Sequence, residues 1–250
     1  MTIDAHFAAI EGNGPHHVLV LHGWALDSGV WLGTRAKSNV TDFTWAYLDF
    51  PGYGASRPSQ PAEGVDGMAA SALSAVDELG WTSFSVVGHS MGGVTALRVA
   101  TLRPEAVSRV VALTPVSPGG TPLDEATYAA FANAWDDPGA AIRSNLAPGI
   151  EADDLDRLVA RNRATMDRPT WEAYLKNWTS ADFMGDLSRI QSPVAILYGE
   201  TDPFITADYL KPTLDHLPDG RLVKLPSVGH YPMIEATAEA QEAIEKALRA

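Results

Sequence analysis

The chain contains no cysteine, which excludes a disulfide framework and any thiolate metal site. It also lacks an excess of basic charge: 18 Lys and Arg stand against 31 Asp and Glu, a net charge of −13. That balance repels nucleic-acid phosphates and anionic membrane surfaces, so neither is expected as a partner. No apolar run approaches the ~20 residues that cross a bilayer. Residues 1–14 carry Asp4 and Glu11 and no basic region followed by a long apolar one, so no signal peptide is expected and the cytoplasm is the expected compartment. Neither phosphate-binding glycine pattern, Gly-x-Gly-x-x-Gly or Gly-x-x-x-x-Gly-Lys-Ser/Thr, occurs. The histidines His6, His16, His17, His22, His89, His216 and His230 show no convincing metal-ligand spacing, so neither a catalytic metal nor a cofactor is expected. There are no repeats and no low-complexity tracts.

What is present suits one large α/β domain of 250 residues. A short strand near Ile3 to Ile10 precedes the apolar run His17 to Leu21, of the kind buried on both faces of a sheet. A helix is expected around Val30 to Ser38, a strand over Thr44 to Leu48 and a helix from about Asp66 to Leu79. Strands at Phe84 to Val87 and Val107 to Leu113 flank a helix carrying Val94, Leu97 and Thr101. This alternation implies right-handed crossovers and a mainly parallel sheet. From Ser117 to about Met184 the rhythm breaks into helical segments near Leu123 to Ala134, Pro138 to Asn145, Ala152 to Arg163 and Pro169 to Trp178. Strands resume at Pro193 to Tyr198 and Leu222 to Lys224, with helices near Ala207 to His216 and Ala236 to Leu248. The expected organisation is a core of residues 1–116 and 186–250 and a helical lid of residues 117–185, lying over the strand ends where open α/β sheets bind ligands.

The sharpest signal is Gly88-His89-Ser90-Met91-Gly92 between a strand and a helix. A strand that reverses into a helix at Gly-x-Ser-x-Gly forces the serine into a strained backbone conformation and crowds its neighbours, which the glycines relieve. Ser90 is therefore the candidate nucleophile. A serine hydroxyl needs a base to take its proton and a third group to orient that base. His230 follows the last strand in a Gly-flanked loop, and Asp202 follows the preceding strand, so the order Ser90, Asp202, His230 is that expected for the motif. Glu200 is the rival acid, closer to the strand and expected to be a turn residue. The developing oxyanion needs donors, and the backbone N–H groups of Met91, after the serine, and of Trp24, after the first buried strand, are best placed. Their side chains are expected to line the pocket. His22 and His89 are expected to pack and hydrogen-bond.

The lid carries two aromatic stripes at helical spacing, Trp171, Tyr174 and Trp178, and Tyr128, Phe131 and Trp135. Such faces fasten a lid to its domain or line its cavity. Tyr128, Phe131, Trp135, Trp171 and Trp178, with Phe204 and Tyr231 from the core, are the candidate pocket residues. Arg157, Arg161, Arg163 and Arg168 could recognise a carboxylate or form a solvated helix face.

Taken in order, Leu21-His22-Gly23-Trp24, Asp49-Phe50-Pro51-Gly52-Tyr53-Gly54-Ala55-Ser56, Gly88 to Gly93, Gly199-Glu200-Thr201-Asp202 and Gly229-His230-Tyr231-Pro232 resemble the α/β-hydrolase superfamily. The His-Gly-Trp loop is similar to that of the small serine carboxylesterases typified by the pimeloyl carrier-protein methyl ester esterases. The resemblance implies a cofactor-free serine carboxylesterase, and a cavity lined by the lid aromatics would make its expected substrate a small to medium, largely apolar ester. Haloalkane dehalogenases and epoxide hydrolases carry Asp where this chain has Ser90. Cofactor-free haloperoxidases and perhydrolases usually have Asp-Arg-Arg-Gly where this chain has Asp49-Phe50-Pro51-Gly52. Carbon–carbon bond hydrolases of aromatic degradation often have Trp after the catalytic His, where this chain has Tyr231. Lactonase chemistry and non-enzymatic ligand reception on the same scaffold complete the alternatives. Oligomeric state is open.

Overall fold

The computed structural model describes residues 5–250. Of the first expected strand, residues 3–4 lie outside the described residues. Seven strands, β1 His6–Glu11, β2 His16–Leu21, β3 Phe43–Asp49, β4 Phe84–His89, β5 Val107–Leu113, β6 Val194–Gly199 and β7 Gly220–Leu225, form one sheet in the order β1-β3-β2-β4-β5-β6-β7. Only β1 runs antiparallel, on the edge against β3. All other pairs are parallel. This is the α/β-hydrolase fold expected from the motifs.

Successive strand residues point to opposite faces, so apolar side chains are needed on both. Leu19, Leu21, Val86, Val110, Ala112 and Ile196 join one buried cluster. Val18, Val20, Val87, Val111, Ala195 and Leu197 join the other. Helices cover both faces. They are α1 Leu32–Arg35, α2 Gly64–Glu78, α3 Met91–Leu102, α4 Glu125–Asn133, α5 Pro138–Ala141, α6 Ala152–Thr165, α7 Arg168–Thr179, α8 Ala207–Asp215, α9 Pro232–Glu235 and α10 Thr237–Arg249.

Two expected helices come out shorter. Val30 to Ser38 is a 3₁₀ turn, Ser28–Trp31, followed by the single-turn α1. Gly29 and Gly33 weaken helical continuation there. A side chain at Gly29 would also overlap the Arg161 guanidinium. Pro138 to Asn145 narrows to α5 followed by a widened, π-type turn over Ile142–Leu146.

Helices α4 to α7 occupy the connection between β5 and β6. Specific polar contacts bind this insert to the rest. Tyr174 Oη donates to Pro51 O at 2.8 Å, and Trp24 Nε1 donates to Trp171 O at 2.9 Å. Asn177 accepts from Gly64 N–H at 2.9 Å and donates to Ala62 O at 2.7 Å. Arg161 pairs with the buried Asp27. Helix α7 starts cleanly because Asp167 caps the Thr170 N–H at 2.9 Å and Pro169 occupies its first turn.

Candidate active site

The strand–serine–helix turn is sharp. Ser90 has φ 52° and ψ −113°, a conformation that costs a non-glycine residue roughly 1–3 kcal/mol and persists only where its surroundings fix it. Here they do. Ser90 N–H donates to Leu113 O at 2.8 Å, and Ser90 O accepts from Gly93 and Val94 N–H at 2.9 and 3.1 Å. The two flanking glycines have separate reasons. A Cβ at Gly88 would overlap the Gly92 carbonyl, whereas one at Gly92 would overlap the carbonyls of Leu21 and His22 at the end of β2.

His230 and Asp202 arrive from the loops after β7 and β6. Those loops cross where Gly199 meets Gly229, because a Cβ at Gly199 would overlap the Val228 and Gly229 carbonyls. His230 Nε2 lies 3.1 Å from Ser90 Oγ. His230 Nδ1 lies 2.7 Å from Asp202 Oδ2. The Asp202 Oδ1 accepts from Phe204 and Ile205 N–H at 2.9 and 3.0 Å. Burial pushes the Asp202 carboxyl up, but His230 and these two N–H groups outweigh it and hold it below its usual range. With Asp202 accepting at Nδ1–H, Nε2 carries the free lone pair that faces the serine hydroxyl. Ser90, His230 and Asp202 are all buried. Glu200 is elsewhere, bonded to Lys224 Nζ at 2.7 Å and to Ser227 N–H. Lys224 first, then that N–H, hold its carboxyl low.

The other two histidines near the site are structural in their contacts. His22 Nδ1–H donates to Gly23 O at 2.8 Å and its Nε2 accepts from Phe50 N–H at 3.1 Å. Burial lowers its pKa, so it bridges the loops after β2 and β3 as a neutral ring. Asp49 organises the second loop by accepting from Ser28 and Ala55 N–H at 2.7 and 2.8 Å. His89 Nε2–H donates to His230 O at 2.8 Å, and burial holds it well below the usual imidazole value.

Met91 is the first residue of α3, a position whose N–H has no partner within the helix. Its side chain does not line the pocket as expected. It is fully buried in the core beneath the turn, because the first helical residue points back into the sheet–helix interface. Trp24 follows β2, and its ring lines the smaller cavity, packed at a tilt against Trp171 with 4.2 Å between ring centroids.

Two adjoining cavities lie at the site, and Ser90 lines one of them. The smaller, about 100 Å³, has Ser90, His89, His230 and Trp178 in its wall. The larger, about 360 Å³, is walled by α4, α6 and Trp171. Phe131, Phe204 and Tyr231 belong to both. Tyr128 and Trp135 line neither, contrary to expectation. Tyr128 is rotated off the cavity-facing side of α4 and is 36% exposed. Trp135 lies beyond the end of α4 at Asn133, packing edge-on against Trp171 and beneath the Arg163 guanidinium. Ala126, Ala130 and Ala134 line the cavity instead. Alanines give no sequence signal for a pocket, although their i, i+4, i+8 spacing marks one face of a helix. Arg157, Arg161, Arg163 and Arg168 are engaged elsewhere, with Asp154, Asp27, the Asp136 carbonyl and Glu172 respectively. Among the described residues no group of three or more acidic, His or Cys side chains is placed to hold a metal, and no helix is long and apolar enough to cross a membrane.

Residues 18–243 match the model of the alpha/beta hydrolase family, and the chain belongs to that family. It is a hydrolase by that membership. It is 32% identical over 242 residues to the pimeloyl-[acyl-carrier protein] methyl ester esterase of Nitrosomonas europaea, covering 89% of this chain and 91% of that one. It is 27% identical to a 2-hydroxy-6-oxononadienedioate/2-hydroxy-6-oxononatrienedioate hydrolase of a Pseudomonas species, covering 88% and 83%. Among solved structures, a bromoperoxidase from Bacillus anthracis superposes with a TM-score of 0.83 at 22% identity, covering 97% and 94%, which speaks to the fold alone.

Proposed function

We propose that this chain is a serine carboxylesterase acting through an acyl-enzyme on a small to medium, largely apolar ester, with residues 117–185 serving as a lid. The observation that carries this reading is the relay of 3.1 Å from Ser90 Oγ to His230 Nε2 and 2.7 Å from His230 Nδ1 to Asp202. In the proposed route His230 takes the Ser90 proton as Oγ attacks the ester carbonyl, and Asp202 holds the tautomer and stabilises the imidazolium. The N–H groups of Met91 and Trp24 receive the oxyanion. The alcohol leaves with the proton from His230, and a water activated by the same imidazole releases the acid. The nucleophile, base, orienting acid and oxyanion donors of this route are all residues of the chain. The resemblance to a methyl ester esterase supports ester as the substrate class. The resemblance to a dienedioate hydrolase keeps carbon–carbon bond hydrolysis as the second reading.

The test is multiple-turnover hydrolysis of p-nitrophenyl esters from acetyl to long acyl chains, without added metal or cofactor. Sustained turnover with a maximum at one chain length is expected. A single burst, or none, would reject the esterase reading, and vinylogous diketone substrates would then test the second.

A further inference from the structure

The two cavities differ in size and both lack charge. A cavity of about 150 Å³ in an apolar wall accommodates benzene; the smaller cavity, about 100 Å³, falls below that and the larger, about 360 Å³, is more than twice it. No Asp, Glu, Lys or Arg is among the described residues of either wall. The polar side chain most buried in the larger wall is Asn162, 4% exposed, whose Nδ2 donates to Ala25 O at 2.9 Å. Its Oδ1 has no partner among the described residues. That wall thus offers no cation. The room along α4 exists because Ala126, Ala130 and Ala134 present only methyl groups there.

Resting on the esterase reading, we propose that the substrate is an uncharged, lopsided ester, with one half smaller than a phenyl ring in the cavity beside Ser90 and one bulky apolar half along α4. Hydrolysis breaks the acyl–oxygen bond and adds water across it, leaving a small product and a bulky one. A carboxylate on the bulky half would be desolvated against an apolar wall without a counter-ion, which disfavours its binding.

The experiment compares kcat/KM for ethyl acetate, benzyl acetate, methyl phenylacetate, benzyl phenylacetate and methyl 4-carboxyphenylacetate. One of the two singly bulky esters is expected to exceed benzyl phenylacetate at least tenfold, and the added carboxylate to cost at least tenfold. Ala130→Phe and Ala134→Phe, made separately so that one misfolded variant does not decide the matter, should each lower the bulky-to-small ratio at least fivefold. Tyr128→Ala, on the other side of the same helix, should leave it unchanged. Equal use of the doubly bulky or carboxylated ester, or an unaltered ratio in folded Ala130→Phe and Ala134→Phe alike, overturns the assignment of the cavities. Absence of Ser90-dependent turnover on every ester, ethyl acetate included, overturns the esterase reading as well.

A second observation stands independently of the cavities. The His230 carbonyl accepts from His89 Nε2–H at 2.8 Å and from Thr114 Oγ1–H at 3.2 Å. On the other side, the two oxygens of Glu235 accept from Gly229 N–H at 2.9 Å and Tyr231 N–H at 2.8 Å. Gly229 permits this approach, since a Cβ there would lie 2.8 Å from Glu235 Oε2. Thr114 holds its place at φ 40°, the left-handed region that favours glycine. We infer that Thr114 and Glu235 are positioning residues that fix the backbone of His230 against the ends of β4 and β5. Thr114→Val and Glu235→Gln are each expected to lower kcat about tenfold with KM unchanged, and to slow labelling of Ser90 by a fluorophosphonate in parallel. Unchanged kcat and labelling in folded variants, or a loss confined to KM, would overturn the role.

Discussion

Ser90→Ala is expected to fold like the parent and to lose ester turnover by on the order of 10⁶-fold, the scale seen when the serine of such a relay is removed. The fold should survive because the hydroxyl contributes only its contact with His230 at 3.1 Å, worth about 1 kcal/mol. The turn itself is held by backbone bonds to Leu113, Gly93 and Val94, which alanine retains. Its φ of 52° is equally strained for Ala and Ser. Ser90→Gly separates strain from chemistry: it should be as inactive as Ser90→Ala yet more stable by a fraction of the roughly 1–3 kcal/mol stored at such a position. Kinetics on the p-nitrophenyl series and thermal unfolding of the three proteins are the measurements. Turnover of Ser90→Ala within tenfold of the parent would reject the nucleophile.

The sheet was legible because each strand is a short apolar run bounded by breakers, and β2, β4, β5 and β6 are buried on both faces as such runs demand. The relay was legible because glycine punctuates it. Gly88, Gly92 and Gly199 sit where two stretches of backbone pass too closely for a Cβ, and Gly229 sits where the Glu235 carboxylate approaches, so each marks a loop that chemistry-bearing residues share. The pocket was less legible. Aromatic stripes announce a face without saying what it meets, and Trp171 and Trp178 turn to the cavities while Tyr174 seals the insert to Pro51 and Ala62. Tyr128 fails because Ala126 and Ala130 take the cavity-facing side of α4 and leave it exposed, and Trp135 because α4 ends at Asn133 before reaching it. The volume comes from alanines, whose spacing marks a helix face but whose small side chains announce no pocket. Likewise Thr114 and Glu235 act through the backbone of His230, and no side-chain motif records a hydrogen bond to a main-chain group.

Asp202→Asn should lower kcat/KM on the order of 10⁴-fold, the cost when the orienting carboxylate becomes an amide, while Glu200→Gln should change it less than twofold. The amide would present an N–H to His230 Nδ1 at the position now 2.7 Å away. The ring would then carry its proton on Nε2, facing Ser90, and could not accept another. Nor would a charge remain to stabilise the imidazolium. Glu200 makes neither contribution, since its oxygens are taken by Lys224 and the Ser227 N–H on the outer side of the loop. The two variants also differ in acid. Because the Asp202 carboxyl is held below its usual range, it stabilises the folded chain at pH above the ordinary carboxylate value and loses that contribution as pH falls through its lowered pKa. The gap in thermal stability between parent and Asp202→Asn should therefore narrow as the pH is lowered from neutrality to below the carboxylate range. Unfolding temperatures across that range, beside kcat/KM at neutral pH, decide the assignment. A larger activity loss in Glu200→Gln than in Asp202→Asn would transfer the orienting role to Glu200.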